Sequence, residues 1–405
     1  MDSLATIYIK FFNLGVLSRI LLVIVKPLAL WLSIQLDSDA GLAVAQIYLI
    51  GLLFLSLSGT NAHRPFYQKY FGNQQHLNRL SLARSYIDYI QKITLQLIFV
   101  IIISATIATL VFWGSLSIVM MGLIFGISEK LNDEFQRFTQ FINNSKNLFY
   151  LSVSKLLPVL IAALLSYINI VDIRYAFPVL LLIGSIFVNS RTYFSALNFF
   201  IKITGKSFFK MIKMSLNFIR QDILQIGCIF MGISLISLDK WLLQYLSTTD
   251  LPTYMLYAQI ASIFIVTQTV VLIAPVRARL VNENPQEIKS IKVGSPIISI
   301  FPLLIGIVLY FYNSTENIGY FAFFFAAIVT FSVAYGERLY WATTAGIRLT
   351  LDSLTVGVFL ISIIILTAFV SSTYLIAFSL ATLFSLLCMR VLVMIYLLSN
   401  FFGNK

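Results

Sequence analysis

The chain has 405 residues, of which 59% are hydrophobic and only 11% charged, and its mean hydropathy is +0.91. Soluble domains carry about 25% charged residues, so a soluble protein of this length is excluded. The net charge of +12 would suggest nucleic acid in a soluble chain. In a membrane chain the cytoplasmic excess of Lys and Arg accounts for it.

In chain order, apolar runs long enough to span a bilayer fall at residues 14–36, 42–60, 93–112, 115–136, 149–169, 175–195, 222–246, 254–275, 296–312, 318–341, 351–370 and 373–397. Inside lipid every peptide group must be bonded within its own segment, so these runs are expected to be helices. Their length excludes a β-barrel, whose strands show about 10 alternating residues each. Placing the intervening loops on alternate sides collects nearly all basic loop residues on one side, among them Arg64, Lys69, Lys146, Lys210, Arg277 and Lys289. The other side holds Arg174 beside Asp37, Asp39, Asp172, Asp250 and Glu316. The bias is roughly eighteen to one and predicts that both termini are cytoplasmic.

The longest inner connections are 61–92, 201–220 and 276–295. The second is basic and amphipathic, suited to the anionic inner leaflet, and divides the chain into residues 1–200, with six spans, and residues 221–405, with six more. The two halves begin alike. Residues 14–36 are apolar with charge inside, Asp37 to Gly41 forms a short polar turn, and residues 42–59 are apolar up to the basic His63-Arg64-Pro65. In the second half, Asp239-Lys240 lies in an apolar run, Ser247 to Thr253 forms the turn, and Tyr254 to Ala274 ends in Pro275, Arg277 and Arg279.

Enzymatic chemistry has little support. Gly205-Lys206-Ser207 has Phe200 where a phosphate-binding loop needs its first glycine. His63 and His76 lie in a cytoplasmic loop beside arginines, and Cys228 and Cys388 are isolated in apolar runs, fitting neither a disulfide framework nor a metal site. No outer loop is large enough for a catalytic domain, which counts against a membrane polymerase. Lys26-Pro27 interrupts the first apolar run, so it is not expected to be a cleaved signal peptide.

The informative residues are charges inside the spans, where lipid penalises them by about 2.5–3.5 kcal/mol or more. Lys26 lies about 18 Å beyond Leu14, near mid-bilayer, and Arg19 only about 8 Å in, within reach of the surface by snorkelling. Their seven-residue spacing puts them on one face, and Pro27 is expected to kink the helix by removing the bond to the Val23 carbonyl. This face reads as an anion-binding wall, or as a snorkelling Arg19 with Lys26 paired to some carboxylate. Asp239 and Lys240 diverge by about 100° on a helix, so one is free to face a cavity while the other meets a neighbouring helix. In the fourth span Lys130–Glu134 and Asp133–Arg137 have i,i+4 spacing, beside Glu129, towards an end where solvation is the default. Arg137, Arg338 and Arg390 complete the candidate cationic lining, with Asp239, Asp133 and Glu129 as pairing or coupling carboxylates. Such a cation excess suits a phosphate or pyrophosphate head group. A cation exporter would want carboxylates there.

With Leu238-Asp239-Lys240-Trp241-Leu242-Leu243, then Tyr254, Tyr257-Ala258 and Pro275 to Arg279, and with Asp39-Ala40-Gly41 and Arg64 in the first half, the chain resembles the Wzx-type O-antigen and polysaccharide flippases of the multidrug/oligosaccharidyl-lipid/polysaccharide exporter superfamily. It departs from their pattern in being short and in having Pro252 where a glycine is common. The resemblance implies an all-α polytopic protein with about twelve helices in two six-helix lobes, packed as a V around a cationic cavity. It implies alternating access in a bacterial inner membrane, with an undecaprenyl-pyrophosphate oligosaccharide as cargo. It further implies a proton or sodium gradient as driving force, no resident cofactor, and a polymerase and chain-length regulator as partners. The competing expectation is a drug or cation antiporter of the same superfamily.

Overall fold

In the computed structural model, the structure describes residues 14–58, 79–112, 115–141, 144–204, 237–268 and 345–369, with single positions at 213, 227 and 381. All regular structure among the described residues is helical. The chain divides into two compact units, Met1–Ile229 and Phe230–Lys405.

The first unit contains α1 (Leu14–Leu36), α2 (Ser38–Leu57), α3 (Arg79–Val111), α4 (Leu116–Phe141), α5 (Ser145–Tyr167), α6 (Ile173–Val188) and α7 (Ser190–Thr204). In the second unit are helical residues 237–246, α8 (Leu251–Gln268) and α9 (Ala345–Phe369). Of the described residues, Leu17–Leu36, Ser38–Leu55 and Ser145–Tyr167 are long and apolar enough to cross a membrane, and the bent pair α6–α7 makes a fourth if counted as one span. The third and fourth expected spans do form helices. α3 begins earlier than the apolar run, at Arg79, so only Val100–Val111 is uniformly apolar. α4 carries Glu129, Lys130, Asp133, Glu134 and Arg137 in its second half. The expected spans at 296–312, 318–341 and 373–397, most of the 201–220 connection, His63, His76, Cys228, Cys388, Arg338 and Arg390 lie outside the described residues.

Local chemistry sets the helix ends. Tyr167 closes α5 through a left-handed turn at Asn169 (φ 58°). There the Ile170 N–H donates to the Leu165 carbonyl (2.9 Å) and Asn169 N–H to Ser166 (3.0 Å). This double bond pattern is the usual way to satisfy a helix C-terminus, and asparagine tolerates the left-handed position better than most residues. Two residues on, the Asp172 carboxylate accepts from the Arg174 N–H (2.9 Å) and caps α6. Asn144 caps α5 in the same way, through the Asn147 N–H (3.1 Å).

α1 packs along α5, α2 along α4, and α5 along α6. The α2–α4 contact is built on glycines. A Cβ at Gly122 would meet the Ile50 Cβ at 2.6 Å, one at Gly126 the Phe54 Cβ at 2.8 Å, and one at Gly51 the Phe125 ring at 2.5 Å. Gly122 and Gly126 form the small-xxx-small spacing that lets helix backbones approach closely in membranes. Tyr48, Phe125 and Phe177 meet beside this seam, with centroids 4.9–5.9 Å apart. Gly122→Ala is therefore expected to destabilise the unit by about 1–3 kcal/mol through overpacking, outweighing a helix-propensity gain of about 1 kcal/mol. Gly357→Ala on α9 is the control, because a Cβ there meets nothing within 4 Å. Thermal unfolding of the purified variants in detergent checks the pair, and equal behaviour would refute the glycine seam.

Candidate functional site

Three helices of the first unit bring charge together at one point. Lys26 comes from α1, Glu129 from α4 and Lys155 from α5. Lys26 Nζ lies 2.8 Å from Glu129 Oε2, and Lys155 Nζ donates to Glu129 Oε1 at 2.6 Å. Each carboxylate oxygen thus holds one ammonium, and the trio keeps one positive charge in excess. Exposure differs sharply among the three. The side chain of Lys26 is 36% exposed, against 7% for Lys155 and 10% for Glu129. Lys26 Nζ also sits 5.8 Å from the centre of the Phe125 ring, within cation–π range.

The backbone around the trio is adapted to it. Pro27 directly follows Lys26 inside α1 and Pro158 lies three residues after Lys155 inside α5. Each proline removes one helical hydrogen bond, from the carbonyls of Val23 and Ser154. The Tyr48 hydroxyl donates to the Lys26 carbonyl (3.1 Å), tying α2 to α1 at Lys26. At the other proline, α6 approaches closely enough that a Cβ on Gly184 would meet the Ser154 carbonyl oxygen at 2.6 Å.

A second network lies further along α4. Lys130 Nζ is 2.9 Å from Glu134 Oε1, Arg137 bridges Glu134 (3.2 Å) and Asp133 (2.6 Å), and the Tyr89 hydroxyl from α3 donates to Glu134 Oε2 (2.7 Å). The two i,i+4 pairs expected from spacing form. Their environment differs from the expected solvated helix end, because Lys130 and Glu134 are buried while Asp133 and Arg137 are partly exposed. Tyr86, stacked on Phe138 with centroids 4.1 Å apart, and Tyr89 cover them from α3. The ion pairs run along α4 itself, and the Tyr89–Glu134 hydrogen bond ties the network to α3.

In the second unit, Asp239 and Lys240 pair with each other. Lys240 Nζ is 3.0 Å from both carboxylate oxygens, and the Tyr254 hydroxyl donates to Asp239 Oδ2 at 2.6 Å. Both charged residues are buried. The expected divergence of neighbouring side chains fails here because Lys240 is long enough to fold back, and Tyr254 from α8 closes the cluster with its ring 5.8 Å from the ammonium.

Among the sequence candidates, the structure unites Lys26 with Glu129, Arg137 with Asp133, and Asp239 with Lys240. Arg19, half-buried two turns earlier on α1, is not one of the cations on Glu129. Sequence reasoning missed Lys155, although a lysine inside the fifth apolar run just before Pro158 was a readable signal. It also missed Asn132, Ser185 and Asn189, whose small polar side chains carry little signal in an apolar run. No family model, curated protein or solved structure matches the chain.

Proposed function

We propose that this protein moves a lipid-linked saccharide with a phosphate or pyrophosphate head across a bacterial inner membrane. Two six-helix lobes, about twelve spans in all, would alternate access around a cationic cavity while the lipid tail stays in the bilayer. An undecaprenyl-pyrophosphate oligosaccharide is the cargo proposed, with a proton or sodium gradient as driving force and a polysaccharide polymerase acting on the delivered unit.

One observation carries the reading: in the Lys26–Glu129–Lys155 trio the exposed member is a cation and the carboxylate is the buried one. An antiporter for cations would present the carboxylate and turn the lysine away. Lys26 needs only to exchange one oxygen of Glu129 for one of a phosphate. Lys155 would continue to hold Glu129, so the exchange does not strand a buried carboxylate, which would be costly. A phosphate oxygen is a suitable replacement because charge-assisted bonds to it are strong.

The test uses cells lacking the gene, complemented by variants. The deletion should accumulate complete polyprenyl-linked repeat units on the inner leaflet and lose surface polymer. Lys26→Ala should reduce surface polymer by roughly the tenfold or more that loss of a charged contact of about 1.5–3 kcal/mol implies. Lys26→Arg should keep part of the activity, and Lys146→Ala, an exposed position at the start of α5, should keep all of it. Equal activity of Lys26→Ala and Lys146→Ala would remove the case for Lys26. Normal lipids and polymer in the deletion strain, with new sensitivity to cationic drugs, would instead favour the antiporter.

A further inference from the structure

The helical path that begins at Ile173 breaks at Asn189, where α6 ends and α7 leaves at 102°. One continuous span was expected over 175–195, and no proline or glycine lies between Ile186 and Arg191 to explain the bend. What gathers at the break is a set of buried polar groups. Asn189 is 2% exposed, and neither its Oδ1 nor its Nδ2 has a hydrogen-bond partner. Facing α6 from α4 is Asn132, fully buried, whose Nδ2 donates to Ser185 Oγ at 2.6 Å and whose Oδ1 is also unpartnered. Ser185, itself fully buried, donates to the Leu181 carbonyl (2.6 Å) and lies one turn before Asn189. From the far side of the break, the Tyr193 hydroxyl reaches the Ser128 carbonyl at 3.4 Å.

Unpaired buried amide oxygens are rare because each costs about 1–3 kcal/mol. Two of them within one small cluster, at a helix break, ask for a common partner. The available donors to such a partner are neutral oxygens, Asn132 Oδ1, Asn189 Oδ1 and carbonyls at the end of α6, while Ser185 Oγ, which accepts from Asn132 Nδ2 and is hydrogen-bonded to the Tyr193 hydroxyl, holds the Asn132 amide in place. That end of α6 carries the negative pole of the helix dipole. Arg191, the nearest cation in sequence, is exposed. Broken helices whose C-terminal carbonyls and nearby hydroxyls coordinate a cation are a general device of membrane transporters. The donor set also selects the charge of the ion. Divalent cations call for carboxylate ligands, and no carboxylate belongs to this set.

We propose that Asn132 and Asn189, with C-terminal carbonyls of α6 and with Ser185 positioning the Asn132 amide, form a binding site for a monovalent alkali cation, sodium in the first instance. The site lies within the first unit and does not depend on what the protein transports. Filling it satisfies the two orphaned amide oxygens and fixes the bend, so cation binding and the α6–α7 angle are linked.

The experiment is thermal unfolding of the purified full chain, with sodium chloride titrated against choline chloride at constant ionic strength. Sodium should raise the unfolding temperature saturably, as expected for a ligand bound by the folded state alone, and choline should not. Asn132→Ala and Asn189→Ala should each weaken the half-saturating sodium concentration by roughly tenfold or more, the loss seen when support for a metal site is removed. Asn189→Asp guards against variants that merely fold poorly: adding a carboxylate should lower the half-saturating sodium concentration and let calcium compete. No sodium-specific shift in the natural protein would overturn the proposal, as would a shift of equal midpoint in all three variants. Either result would leave the amide oxygens without a sodium partner and the transport reading untouched.

Discussion

Glu129→Ala is expected to be the most damaging single substitution in the first unit, costing roughly 3–5 kcal/mol. The carboxylate is the common partner of Lys26 and Lys155, at 2.8 and 2.6 Å. Its removal affects the two lysines differently. Lys26, 36% exposed, has room to swing away from the site. Lys155, on α5 and only 7% exposed, stays as an uncompensated buried charge. Lys155→Met should therefore cost less than Glu129→Ala, because Lys26 remains to neutralise the carboxylate. The double variant Glu129→Ala/Lys155→Met should regain most of the stability, since replacing a whole buried pair is far cheaper than breaking it. Unfolding in detergent, read as a double-mutant cycle, measures the coupling. Strict additivity of the two substitutions would show that Lys155 does not depend on Glu129.

Asp239→Ala should be as costly in the second unit, again by roughly 3–5 kcal/mol. It strands Lys240, which is buried, and removes the acceptor of the Tyr254 hydroxyl. Tyr254→Phe takes away only the hydrogen bond to a charged group and is expected to cost about 1.5–3 kcal/mol. Asp239→Ala/Lys240→Met should restore much of the loss. If Lys240 instead serves a ligand, Lys240→Met alone would abolish transport while leaving unfolding unchanged. The 3.0 Å pairing to both oxygens of Asp239 predicts the reverse order, a stability loss ahead of any transport defect.

The contrast between the two clusters bears on how a membrane charge should be read. Lys26 and Lys240 look equivalent as letters, each a lysine inside an apolar run. Lys26 has a neighbouring proline, a side chain 36% exposed, and a carboxylate already shared with another lysine. Lys240 has a carboxylate of its own and a tyrosine over it. The proposed mechanism rests on the first. The network of Lys130, Asp133, Glu134 and Arg137 reads differently again: its charges balance one another along α4, and Tyr89 of α3 bonds to it through Glu134.

By itself the sequence determined that this is an all-α chain with helices able to cross a membrane. The cause is local: apolar runs of that length must satisfy their own backbone groups wherever they meet lipid. It placed Asp172 in a short loop between two spans, although the left-handed turn at Asn169 was not read from it, and it determined the i,i+4 pairs of α4, because helix geometry sets that spacing. It also marked Lys26 through depth and Pro27. Tertiary structure decided which charges pair across helices. Glu129 meets Lys26 and Lys155 only because α5 packs against both α1 and α4, and glycines at 51, 122 and 126 let α2 approach α4 beside them. It decided the bend at Asn189 as well, where no breaker residue announces it. An ion pair or a helix break of this kind depends on groups that are distant in sequence. Burial removes water as the alternative partner, and which partner replaces water is settled by packing.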